Sequence, residues 1–170
     1  MTAAFPVHIP AALRPEDFRS LPLPQAVTLP AYAYADPEFH VFDSWAIFAR
    51  TWQFIGRADQ VKNTGDHLVA DIAGKPVIAV RGGDGVLRGF FNVCKHRAGP
   101  LALENGNTRF LQCRYHGWVY TLEGKLRATH EMQEAEGFDP SGIHLDPVRV
   151  AEWQGLAFAA LSEPDASLPT

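Results

Sequence analysis

The chain is poor in the residues that build a disulfide scaffold, a membrane span or a nucleic-acid surface. Its 170 residues hold two cysteines, Cys94 and Cys113, too few for a fold stapled by disulfides. No apolar run approaches the ~18 residues of a transmembrane helix; the longest, Pro76–Val80 and Gly155–Leu161, are of strand length. Fifteen Lys and Arg against nineteen Asp and Glu leave a net charge of −4, the wrong sign for a broad nucleic-acid surface. Residues 1–7 lack the basic region and apolar stretch of a secretory leader. A cytoplasmic location with no membrane or nucleic-acid partner is therefore expected. What is present is 46% hydrophobic and 20% charged, ordinary globular material that argues against disorder and suffices for one domain.

Residues 1–30 carry six of the thirteen prolines, which excludes a long helix and predicts an extended arm. Asp36 suits an N-cap and Pro37 the first helical position. Phe39, Phe42, Trp45, Ala46, Ala49 and Trp52 then recur every three or four residues, one apolar stripe of a core-packing helix over 37–51. From Gln53 onward short apolar runs alternate with turn residues. Gly65 and Asp66 mark a turn, and Leu68–Ile72 reads as a strand. Pro76–Arg81 and Val86–Val93 flank a hairpin turn at 82–85, Val119–Leu122 and Lys125–Ala128 flank Glu123 and Gly124, and Val148–Glu152 and Leu156–Leu161 form a closing pair. Many short strands of this kind predict a mainly β chain, a small antiparallel sandwich or barrel preceded by the helix. Residues 162–170 read as a linker or tail.

The chemistry lies in four residues. Cys94 and His96 are one residue apart, Cys113 and His116 two apart, and sixteen residues separate the pairs. Each pair follows an apolar β-rich run, 89–93 or 109–112, so two loops can each present two ligands to one centre. Cys2His2 is a normal zinc set, but zinc fingers order their ligands Cys, Cys, His, His with the histidines on a helix. Here the order is Cys, His, Cys, His on loops. A Cys94–Cys113 disulfide is the other alternative, disfavoured by the absent leader. His8, His40, His67, His130 and His144 each stand alone and are expected to be solvated or hydrogen-bonded.

The segments 94–100 (CKHRAGP) and 113–118 (CRYHGW) resemble the two cluster loops of Rieske non-haem iron, or ring-hydroxylating, oxygenases. The resemblance extends through the helix ending at Ile47–Trp52, through Asn92–Cys94, and through Pro147–Val150 and Trp153–Phe158, covering roughly residues 31–161. It implies a Rieske-type [2Fe–2S] cluster, with Cys94 and Cys113 on one iron and His96 and His116 on the other. Arg97, Tyr115, Gly117 and Trp118 are the residues expected to surround these ligands. Tyr115 lies between the two second-loop ligands, so its hydroxyl either tunes the site by a hydrogen bond or the ring simply packs there. Gly99, Pro100 and Gly117 suit tight loops close to a bulky group. Charge counting supports the ligand set. Two ferric ions, two sulfides and two thiolates sum to zero, whereas four thiolates make a dianion, so the mixed site accepts an electron more easily.

In that family a second domain holds a mononuclear iron on two histidines and a carboxylate, the oxygen-activating site. This sequence shows no H-x4-H or similar pair, and the catalytic domain and its Fe(II) are expected to be absent. The expected role is thus one-electron transfer from a reductase or ferredoxin through His96 or His116 toward a mononuclear iron in that domain, which in the family usually belongs to a neighbouring subunit of a trimer. A free-standing Rieske electron carrier is the alternative. A respiratory-type Rieske protein is disfavoured, because the extra cysteine pair is missing, and a potential toward the negative end of the Rieske range of about −150 to +300 mV is expected. Lys95, Arg97, Arg109 and Arg114 against the single acid Glu104 give residues 94–116 a local excess of +3, suited to an acidic donor.

Overall fold

A computed structural model describes residues 8–130, 132, 136–164 and 166–168. The first seven residues of the expected arm, and residues 165, 169 and 170 of the expected tail, lie outside these. The described part of the arm is not uniformly extended: 3-10 turns form at Pro15–Phe18 and Leu23–Gln25, each with a proline in its first turn, and a short helix α1 follows at Tyr32–Ala35. Helix α2 spans Pro37–Asp43, capped by the Asp36 carboxylate, which accepts the Glu38 N–H at 2.9 Å.

The predicted helix over 37–51 does not stay α-helical. From Ser44 to Phe48 it widens into a π turn, closed by the Ala49 N–H donating to the Ser44 carbonyl. The Ser44 hydroxyl donates to the His40 carbonyl at 2.8 Å, a side-chain bond that competes with the ladder at the turn where it changes. The apolar stripe still serves its purpose, since Phe39 and Ala49 are buried.

Among the described residues ten strands follow: β1 (Gln53–Arg57), β2 (Asp66–Ile72), β3 (Lys75–Arg81), β4 (Leu87–Phe91), β5 (Gly106–Asn107), β6 (Leu111–Gln112), β7 (Val119–Tyr120), β8 (Leu126–Ala128), β9 (Pro147–Trp153) and β10 (Leu156–Ala160). All pairings are antiparallel. Seven strands form one curled sheet in the order β1-β10-β9-β4-β3-β2-β5, and β6-β7-β8 form a second. The three expected hairpins are β3–β4, β7–β8 and β9–β10. In the first, the Gly82 N–H donates to the Val86 carbonyl, and Arg88 grips the Asp84 carboxylate with two hydrogen bonds.

The large core lies between the two sheets. Ile78 and Val80 of β3 and Phe90 of β4 meet Leu111, Tyr120 and Leu126 of the small sheet. Cys94, Cys113 and Trp118 belong to the same buried cluster, so the packing that joins the sheets also brings together the two loops. Ile78→Ala is expected to lower stability by about 2–5 kcal/mol through lost burial and a cavity, measured as a lower denaturation midpoint. Because Ile78 shares its core with both cysteines, amide exchange over 94–99 and 113–118 should quicken with it.

Candidate metal centre

Residues 92–100 leave β4, and residues 113–118 connect β6 to β7. The two loops solve the same backbone problem in the same way. In the first, the Cys94 carbonyl accepts the Ala98 N–H at 3.0 Å and the Cys94 N–H donates to the Gly99 carbonyl at 2.8 Å. In the second, the Cys113 carbonyl accepts the Gly117 N–H at 3.0 Å and the Cys113 N–H donates to the Trp118 carbonyl at 2.9 Å. Each turn closes through a left-handed residue four positions after its cysteine, Ala98 (φ 56°) and Gly117 (φ 72°). Gly117 thus has the role its residue type suggests. Gly99 has another: a Cβ there would stand 2.9 Å from Cys113 Sγ and 3.1 Å from Tyr115 Cβ. Its missing side chain lets the first loop lie against the second.

The four candidate ligands separate into two pairs by depth. Cys94 and Cys113 are buried free thiols, each only 2% exposed, and are not joined to each other. His96 and His116 lie half-buried above them, ring centroids 4.7 Å apart and nearly perpendicular. Among the described residues no three Cys, His, Asp or Glu side chains converge as the shell of a single ion.

Burial pushes the Cys94 thiol above its ordinary pKa, with Cys113 adding to the rise; the Tyr120 hydroxyl opposes it. Desolvation, with the nearby His116 and Arg97, lowers His96 and favours its neutral form. One His96 nitrogen, Nδ1, is buried without a hydrogen-bond partner, an unusual state for a buried polar atom. Two buried sulfurs, two imidazoles beside them and a buried unpartnered nitrogen form a donor set that could hold more than one metal ion.

The family model for the Rieske [2Fe-2S] domain matches residues 51–149. The chain belongs to this family. It is 34% identical over 157 residues to choline monooxygenase, chloroplastic, of Beta vulgaris, covering 88% of this chain and 35% of that protein. It is 32% identical over 159 residues to the carnitine monooxygenase oxygenase subunit of Escherichia coli (strain K12), covering 93% and 42%. Among solved structures, the quaternary ammonium Rieske monooxygenase CntA in complex with L-carnitine aligns with a TM-score of 0.73 at 28% identity, over 81% of this chain and 39% of that one. Naphthalene 1,2-dioxygenase from Rhodococcus sp. aligns with a TM-score of 0.73 at 32% identity, over 79% and 31%. The Rieske chain thus spans about a third to two fifths of the length of these relatives.

The residues around the candidate ligands divide differently from the sequence expectation. Tyr115 is 63% exposed and lays its ring on His116, centroids 3.8 Å apart; its hydroxyl makes no hydrogen bond among the described residues. The hydroxyl that reaches a sulfur belongs to Tyr120, fully buried on β7. It accepts the Lys95 N–H at 3.0 Å and lies 3.3 Å from Cys94 Sγ. Its oxygen accepts the Lys95 N–H, so its proton is available for the sulfur. A signal was present in the sequence: in the expected strand Val119–Leu122, Tyr120 and Leu122 fall on one face, and both are buried.

Asn92 was also missed. It is a buried polar residue inside an apolar run, and its side chain makes three hydrogen bonds, accepting from the Leu101 and Ala102 N–H groups and donating to the Ala102 carbonyl. It ties the exit of the first loop to its entrance. Trp118 stacks on His96, and Arg97 is exposed beside it.

Gly99→Ala is expected to force the loops apart and lower the iron and sulfide content of purified protein at least several-fold. Ala98→Gly relieves a left-handed alanine and should be neutral or stabilising by up to about 1 kcal/mol, measured by thermal unfolding.

Proposed function

We propose that this chain is the electron-transfer part of a Rieske non-haem iron oxygenase, with Cys94 and Cys113 holding one iron of a [2Fe–2S] cluster and His96 and His116 the other. The observation that carries the reading is the convergence of two loops of one design, which places two buried sulfurs beneath two half-buried imidazoles. When bound, the cluster supplies a one-electron acceptor and donor whose potential is raised by imidazole ligation.

The protein's own residues do the rest. The core around Ile78, Phe90 and Leu111 keeps water from the sulfurs. Tyr120 directs a hydroxyl proton at Cys94 Sγ, which favours extra negative charge there. His96 turns Nδ1 inward, which leaves its other ring nitrogen for contacts on the outer side.

The partner chemistry follows from the surface. Lys95 is already taken, paired with Asp146 at 2.5 Å. Arg97, Arg109 and Arg114 are exposed and make no ion pair with another described residue. Arg127 adds a fourth cation, seated over the Phe110 ring at 4.3 Å. Beside the second loop lies a cavity of about 500 Å³, lined among others by Leu103, Phe110, Arg114 and Tyr115. Its lining is mixed, with Arg114 and the acid Glu104 beside Leu103, Phe110 and Tyr115; the excess of exposed arginines around it, one ring away from His116, suits a reductase or ferredoxin that presents carboxylates. The recipient is a mononuclear iron in a catalytic domain, reached from the imidazole side in a trimeric assembly. The choline and carnitine monooxygenases among the relatives favour a quaternary ammonium substrate for the assembled oxygenase. The residues that select it are expected in the part of those relatives that this chain does not cover.

Protein purified without air and reduced with dithionite should give a rhombic Rieske-type EPR signal with two irons and two sulfides per chain. Cys113→Ala and His116→Ala should each lose it, because metal binding and loop folding are coupled; full iron and sulfide in either variant would overturn the ligand assignment. Reversing Arg97 and Arg114 to Glu should slow reduction by the donor about tenfold or more at low salt and by less at high salt, followed by stopped-flow absorbance. An unchanged rate at low salt would place the donor elsewhere.

A further inference from the structure

Among the described residues, two buried side-chain polar atoms have no hydrogen-bond partner: His96 Nδ1 and Trp118 Nε1. They belong to one stacked pair of rings, with centroids 4.9 Å apart and planes inclined by 8°. The unpartnered histidine nitrogen is explained by the ligand role proposed above. The indole nitrogen is not, because an indole N–H can only donate. Trp118 is 3% exposed, so water does not reach that N–H from the surface. Leaving such a donor unpaired costs about 1–3 kcal/mol, and a phenylalanine would fill the same apolar surroundings without that penalty. Phe138 packs on the indole, centroids 5.8 Å apart, and offers no strong acceptor.

We infer that Trp118 Nε1–H donates a hydrogen bond to a sulfur of the bound cluster, so that one group satisfies both unpartnered atoms: an iron takes His96 Nδ1 and a sulfur takes the indole proton. The inference rests on the reading of this site as a cluster site. Trp118 thereby has two jobs. Its ring face fixes the plane of His96, and its N–H stabilises the reduced site. By the charge count above, adding one electron takes the site from 0 to −1. A donor aimed at sulfur binds the more negative state more strongly, so its presence raises the midpoint potential.

The experiment replaces Trp118 with β-(3-benzothienyl)alanine, which keeps the size and stacking face of indole but has sulfur in place of N–H. Trp118→Phe is made alongside, and Tyr120→Phe serves as the comparator for a donor whose bond to Cys94 is visible in the structure. Each protein is purified with its cluster, iron and sulfide are counted, and the midpoint is measured by mediated EPR titration. The benzothienyl variant is expected to keep two irons and two sulfides while its equilibrium constant for reduction falls about tenfold, equivalent to about 59 mV for one electron. An unchanged midpoint in a fully loaded benzothienyl variant overturns the inference, even if Trp118→Phe shifts, because stacking alone then accounts for the residue.

A second readout does not depend on any variant's potential. In wild-type protein carrying 15N-indole tryptophan, the reduced state should show an exchangeable proton and a 15N nucleus coupled to the cluster spin in pulsed EPR. Absence of both couplings overturns the inference. Wild-type protein that binds no iron and gives no Rieske signal refutes the underlying site reading instead, which keeps the two failures distinct.

Discussion

The contact on which the site depends is the Tyr120 hydroxyl. Tyr120 stands on β7, directly beyond the second loop, and is wholly buried between the two sheets. Its oxygen takes the Lys95 N–H of the first loop and lies 3.3 Å from Cys94 Sγ, within reach of a hydrogen bond to it. One side chain therefore links the two loops, satisfies a backbone donor and turns a dipole toward a candidate ligand. A buried hydroxyl that failed to find these partners would be destabilising, so the bond fixes the relative position of the loops as well as their chemistry.

Around that contact the loops are built by repetition. Each uses the cysteine backbone twice and closes through a left-handed residue, which makes a rigid cup from very few residues. Rigidity matters for one-electron chemistry, because a site that keeps its shape in both redox states needs little reorganisation. Asn92 reinforces the first cup from below, and Gly99 lets it touch the second. The sulfurs sit on the dry side and the imidazoles on the wet side. The same arrangement insulates the site and leaves one face on which partners can approach.

The surface charge is arranged with comparable economy. The chain is acidic as a whole, yet Arg97, Arg109 and Arg114 gather beside the two loops against the single acid Glu104. Lys95 belongs to the fold rather than to that patch, since it pairs with Asp146 just before β9. A local field of opposite sign to the whole molecule is the kind that would orient an acidic molecule toward one face.

The residues themselves marked out the candidate ligands, the hairpins and the β class. Cysteine and histidine at fixed spacing are scarce enough to be specific, and strand alternation and turn residues act over only a few positions. The α-helical start at Asp36 and Pro37 was legible for the same reason. Other features were decided by tertiary structure. The π turn after Ser44, the left-handed Ala98, the close approach of Gly99 to Cys113 and the roles of Tyr120, Asn92 and Trp118 all depend on what lies across the core. Tyr115 and Tyr120 are both tyrosines near a ligand, and local pattern favoured the one between Cys113 and His116. Only the packing of one sheet on the other turns Tyr115 outward and carries the Tyr120 hydroxyl to a sulfur, because burial and partner distance belong to the folded chain and not to neighbours in sequence.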